Sequence, residues 1–304
     1  MGTSSSSKGS PSNVPMVPPW VPDVPSGPPD NTPPDAAPDD GIPPTPTPGD
    51  NLDLAGVGVG EGDGNHAPTS VPTDDKARLA PAGRFGAART NLTSFARNSD
   101  RQAMRRGIRH YVSQGYGGSG AATRRMGGTI RSSEALLSAV SGGVANPFQA
   151  PGALLDPALL AGRSADDIMD AVTDAVRPVD GTQDSESSRA AIRDALSDTL
   201  EKYPAADLLN LTDQQKEHAI EAFVAGDLYG RFYLDLGTHV IENAPSTTAG
   251  LSRLKEVRDY IRETVAEAFR NLKTKGESLS KSRVATVVRD AIRETFAVFE
   301  AYSR

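Results

Sequence analysis

The sequence predicts an all-α helical domain preceded by a long disordered tail rich in Pro, Gly and Asp. Three observations predict it. Residues 1–75 hold 17 of the chain's 24 prolines, and eleven acidic residues against one lysine, Lys8. Such a stretch cannot bury enough apolar surface to offset the entropy of ordering its backbone. From about residue 84, apolar side chains recur every three or four positions, the period of one helix face. The two-residue alternation of a half-buried strand is nearly absent.

The 304 residues fall into three blocks of charge. The tail carries a net of -10. Residues 76–132 hold twelve Lys/Arg against Asp100 alone, a net of +11, and the remainder carries -8. The overall charge of -7 describes none of them. With no cysteine there is no disulfide framework, thiolate zinc site or thiol nucleophile. No apolar run approaches the ~18 residues a membrane span requires, so no membrane partner is expected. The N-terminus lacks the apolar core of a secretory signal, and a cytoplasmic protein is expected.

Four segments follow from this: a recognition or modification motif at 1–9, an acidic Pro-rich tether at 10–83, an Arg-rich helical region at 84–141 and a C-terminal α-helical domain at 142–304. Within the tether, Pro18-Pro19 and Pro43-Pro44 favour extended polyproline backbone. The apolar island Val14 to Pro22 contains Trp20, the one tryptophan of the chain. It is read either as a short docking motif or as a chance residue in a spacer.

The helices are expected in this order. Phe85, Leu92 and Phe95 mark the first. Ser99 is placed to N-cap the second, which carries Met104, Ile108, Tyr111 and Val112. Gly115 to Gly120 is a loop or hinge. A helix over about 121–140 follows, weakened by Gly127-Gly128. Residues 141–163 form a long connection. Ser164 to Asp167 and Thr212 to Gln215 are capping boxes that open further helices. A helix over about 187–202 stops before Pro204. The apolar run from Ile220 to Val240 is expected in two pieces around Gly226 and ends at Pro245. Leu251, Leu254, Val257, Ile261, Val265, Phe269 and Leu272 form one long stripe. Ser280 is expected to cap a last helix running to Tyr302.

Little in the sequence speaks for catalysis. His66, His110, His218 and His239 have no metal-ligand spacing, and no metal is expected. No Gly-x-x-x-x-Gly-Lys loop is present. Asp166, Asp167, Asp170 and Asp174 read as a solvated helix face. No cofactor and no catalytic residue are expected, and the chain is read as a non-enzyme.

The basic block is more informative because it uses Arg, whose fork suits phosphate and carboxylate recognition. Arg97, Arg101, Arg105 and Arg109 step by four, and Arg106, Arg124 and Arg125 extend the patch. Three readings stand: nucleic-acid binding through the phosphate backbone, docking of an acidic partner or of the chain's own acidic tether, and a solvated face. The N-terminal Met1-Gly2 permits Met removal and leaves an unhindered amine with a useful neutral fraction near pH 7. Gly2 with Ser6 also fits the loose myristoylation pattern.

Three features together carry a resemblance: Met1-Gly2-Thr3-Ser4-Ser5-Ser6-Ser7-Lys8-Gly9, then Val14 to Val21 with Trp20, then Gly83-Arg84-Phe85-Gly86-Ala87-Ala88-Arg89. They resemble the QatB family of the bacterial Qat anti-phage defence system, most strongly over residues 1–22 and about 83–141. The resemblance implies an operon with an ATPase (QatA), a QueC-like enzyme (QatC) and a TatD-like nuclease (QatD). It further implies loss of Met1 and attachment of a 7-deazaguanine group to Gly2 by the QueC-like partner. Thr3, Ser4, Ser6 and Ser7 would then be recognised by that enzyme. The expected function is a non-catalytic defence component with a modifiable tail and a subunit-binding helical domain. The alternative is a nucleic-acid-binding adaptor acting through the Arg-rich helices.

Overall fold

Helix begins where the three-to-four-residue apolar period begins. The computed structural model describes residues 83–143 and 146–302. Helix α1 (Gly86–Asn98) buries Ala88, Leu92, Phe95 and Ala96. It ends at Ser99, whose backbone is left-handed (φ 59°) and whose N–H donates to Phe95 O at 2.9 Å. Ser99 therefore closes α1 instead of capping the next helix. Asp100 caps α2 (Arg101–His110), accepting from the N–H groups of Gln102 (2.8 Å) and Ala103 (3.1 Å). A carboxylate at that position satisfies orphan N–H groups and complements the helix dipole.

The end of α2 widens into a π-helical turn, Tyr111–Gly115. Helices α3 (Ser119–Arg125) and α4 (Gly127–Ala139) follow. The single helix expected over 121–140 is broken at Met126 (φ -87°, ψ 23°), directly before the two glycines that weaken it. The 141–163 connection holds a 3₁₀ turn (Pro147–Gln149) and the one-turn α5 (Pro157–Leu160). Helix α6 (Ala165–Val176) opens with the expected Ser164/Asp167 capping box. Helix α7 (Gln183–Lys202) starts earlier than its apolar stripe, because Thr182 caps it through the N–H of Ser185.

Helix α8 (Asp213–Phe232) opens with the Thr212/Gln215 box and runs straight through Gly226. The expected break falls later, at a second π-helical turn (Tyr233–Gly237) before α9 (Thr238–Asn243). Gly226 is there for packing: a Cβ would lie 3.2 Å from Ala191 Cβ on α7. Helix α10 (Thr247–Thr274) carries the long stripe, with Leu251 as an exception that is 55% exposed. Helix α11 (Val284–Ala301) begins after a turn in which the carbonyl of Ser280, not its side chain, accepts from Arg283 and Val284.

One core joins these elements. Helix α7 lies along α8, α10 packs against α8 and α11, and α1 pairs with α2. Leu92 and Phe95, Phe223 and Phe232, and Ile292 from α11 are buried in the same cluster. Among the described residues no strand forms, and Ser141 and Asn210 make a lone antiparallel bridge. No described helix is long and apolar enough to cross a membrane.

Candidate functional site

The predicted tail residues Gly2, Thr3, Ser4, Ser6 and Ser7, together with Trp20 and His66, lie outside the described residues. The predicted arginines lie inside, and the fold divides them. The break at Ser99-Asp100 separates Arg97 on α1 from Arg101, Arg105 and Arg109 on α2, so the four do not share one helix face. Those on α2 are exposed, opposite the buried Ala103, Met104, Gly107 and Ile108. Arg101 pairs with Glu256 of α10 at 3.2 Å. The Arg105 guanidinium sits 5.5 Å from the ring centre of Tyr260 and 5.6 Å from that of Tyr302. Arg106 reaches Asn91 (3.2 Å) and Asp100 (3.4 Å). Three of the seven are thus used to hold α2 against its neighbours. Arg97, Arg109 and Arg124 are exposed and make no ion pair among the described residues.

A second polar centre was not legible in the sequence. Both π-helical turns meet there. Tyr111 comes from the first, Tyr116 follows it directly, and Asp235 comes from the second. The Tyr111 hydroxyl donates to Asp235 Oδ2 at 2.9 Å and the Tyr116 hydroxyl donates to the same oxygen at 2.6 Å. Arg84 lies 3.9 Å from the other oxygen. Arg231 of α8 donates through Nε to the Tyr116 hydroxyl at 3.1 Å and pairs with Asp184 of α7. A π-helical turn inserts an extra residue and re-aims the side chains around it. Here it turns Tyr111 and Asp235 toward each other across 124 residues of chain.

The aromatic rings seal this centre. Phe85 and Tyr111 stack at 5.4 Å, and Tyr116 meets Tyr111 edge-on at 5.1 Å. A Cβ on Gly115 would collide with the Phe85 ring, so glycine is required for the turn to close. Burial and the neighbouring Asp235 charge push both phenols above their ordinary pKa and keep them as neutral donors. Burial opposes the Arg231 charge, but its hydrogen bonds to Asp184 and Tyr116 outweigh this and raise its pKa.

Beyond Arg231 the centre opens into a pocket of about 100 Å³ between α4, α6, α7 and α8. Its lining includes Arg125, Thr129, Arg177, Ser188 and Asp227. Thr129 donates to Asp227 at 2.5 Å. Burial raises the Asp227 pKa, against the lowering effect of its hydrogen bonds and of Arg177 and Arg231.

The three described histidines stand apart from one another. His239 ties α9 to Thr93 (3.0 Å) and to the Arg89 carbonyl (3.1 Å), while His218 packs edge-on against Tyr203. His110 closes α2 with its Nδ1 buried and unpartnered. The Asp166 face of α6 is paired: Asp166 and Asp170 with Arg193, and Asp174 with Arg189. Among the described residues no group of three or more His, Asp or Glu is placed to hold a metal ion.

No curated protein and no solved structure matches the chain significantly. The family model described as "Qat anti-phage system associated protein QatB" matches residues 117–299. That span runs from the turn after Tyr116 into α11 and takes in α3 and α4 of the Arg-rich region. It covers well over half of the chain, and the chain belongs to the QatB family as a component of the Qat anti-phage system.

Proposed function

We propose that the chain is a non-catalytic subunit of this system that offers its N-terminal tail to the QueC-like partner enzyme QatC. The tail loses Met1 and receives a 7-deazaguanine group on the Gly2 amine, with Thr3, Ser4, Ser6 and Ser7 read by that enzyme. The single observation that carries the reading is Met1 to Gly9 itself, a run of small residues behind an unhindered glycine amine. A free α-amine of ordinary pKa near 7.7–8.0 is a competent nucleophile toward an activated carboxylate. The acidic, Pro-rich residues 10–83 put more than 70 residues between that motif and the first helix. The helical domain binds the other subunits, QatA and QatD among them.

Intact mass of the full chain, expressed with and without its QueC-like partner, tests this. Loss of Met1 plus a deazaguanine-sized increment on Gly2, seen only with the partner, is the expected result. An unmodified N-terminus beside an active, ATP-supplied partner overturns it.

A second reading, a nucleic-acid-binding adaptor, draws on the exposed Arg97, Arg109 and Arg124. Each phosphate contact made by such residues steepens the fall of affinity with salt. The absence of any DNA affinity at moderate salt would remove this reading.

A further inference from the structure

The pocket beside Arg231 has a composition that the tail-modification reading does not use. Three guanidiniums line it: Arg125 from the end of α3, Arg177 from the end of α6 and Arg231 from α8. Hydroxyls of Thr129, Ser187 and Ser188 complete the wall. We propose that this pocket binds a phosphate-type oxyanion, held by Arg125, Arg177 and Arg231.

The donors are available. Arg177 uses Nε on Ser185 (3.2 Å) and holds Nη2 only 3.8 Å from Asp180, while its Nη1 faces Gly128, where a Cβ would lie 3.9 Å away. Arg231 spends Nε on Tyr116 and Nη1 on Asp184, leaving Nη2. Arg125 is exposed, makes no ion pair among the described residues, and lies 5.5 Å from the Tyr116 ring centre. Guanidinium forks of this kind match the spaced oxygens of a phosphate. The break at Met126 adds to them. The first backbone bond of α4 runs from Ile130 to Met126 at 3.2 Å, so the N–H groups of Gly127, Gly128 and Thr129 have no acceptor within α4 itself. The size agrees: about 100 Å³ is enough for one tetrahedral oxyanion.

Two carboxylates line the same pocket, Asp184 and Asp227. Asp184 is already paired with Arg231. Asp227 has no ion pair among the described residues, accepts from Thr129 at 2.5 Å, and is the carboxylate that competes with an anion. Removing that charge by substitution must then tighten binding, whereas removing Arg125 must weaken it. Opposite signs at two lining residues are what a merely structural cluster would not produce.

Calorimetric titration of the full chain with inorganic phosphate, in a low-chloride buffer, is the test. Measurable binding is expected. Arg125→Ala should weaken it by roughly tenfold or more, the loss of one charge-assisted hydrogen bond, and Asp227→Asn should strengthen it. Arg289→Ala, exposed on α11, is the control and should leave it unchanged. Should Asp227→Asn fail to fold, the exposed Arg125 variant decides alone. A parallel titration with adenosine monophosphate separates the sources of the group. Equal affinity marks a free oxyanion, and tighter binding marks a phosphate carried on a nucleotide. No heat with millimolar phosphate, or binding that neither lining variant alters, overturns the proposal.

Discussion

The arginines of α2 and the arginines around Tyr116 are the same side chain in two different settings. Arg101, Arg105 and Arg109 are neighbours in sequence and exposed, and the contacts that Arg101 and Arg105 make lie at the surface. Arg84 and Arg231 stand 147 positions apart and converge on the buried Tyr116, with Arg84 also facing the half-buried Asp235. Clustering in sequence produces a charged face, which is screened by salt and worth little to stability. Convergence in space produces hydrogen-bonded charges in a low-dielectric setting, where each missing partner is costly. A run of arginines therefore shows where charge is, and only the fold shows where charge is constrained.

Asp235→Ala should break the comparison most visibly. It leaves the Tyr111 and Tyr116 hydroxyls without their shared acceptor and Arg84 without its carboxylate. A loss of about 2–4 kcal/mol is expected from urea unfolding. A loss below about 1 kcal/mol would show that the centre is no more constrained than the surface. Asp235→Asn keeps an accepting oxygen and should lose less.

Asp227 sharpens the comparison through pH. Its folded pKa is raised, so between the ordinary aspartate value and that raised value the folded state holds a proton that the unfolded state has released. Its contribution is present below the ordinary value and is lost as pH rises through the folded one. Asp227→Asn should remove this falling component from a pH series of unfolding curves. Glu221 is shifted in the same direction by burial and remains as background. Identical pH profiles for the two proteins would contradict the assignment.

The smallest effects belong to α2. Arg101→Ala loses one exposed pair with Glu256 and should cost at most about 1 kcal/mol, shrinking further in high salt. Arg109→Ala, with no ion pair among the described residues, should stay within about 0.5 kcal/mol. A larger cost at Arg109 would mean that the exposed stripe carries structure after all.

Helices announce themselves in sequence where local chemistry is enough. Ser164 with Asp167 and Thr212 with Gln215 cap their helices as their spacing requires, because each box is closed within four residues. The apolar stripe of α10 is legible for the same reason, except at Leu251, where the fold supplies no neighbour to cover the period. Gly226 misleads because a helix-weakening residue can be retained for a close approach to another helix, here at Ala191. Ser99 misleads because Ser and Asp are both good caps, and their order along the backbone decides which is used. The Tyr111–Tyr116–Asp235 centre left one faint signal, Gly115 beside two tyrosines, which read as a hinge.

By itself, then, the sequence determined the all-α class, the main capped helices and the placement of the arginine charge, since each depends on residues within one or two turns of each other. The tertiary structure alone decided which glycines break a helix and which arginines are bound. It also decided that two π-helical turns meet around one carboxylate. These depend on partners far apart in the chain, and hydrogen bonding and steric exclusion between such partners act only once the helices are packed.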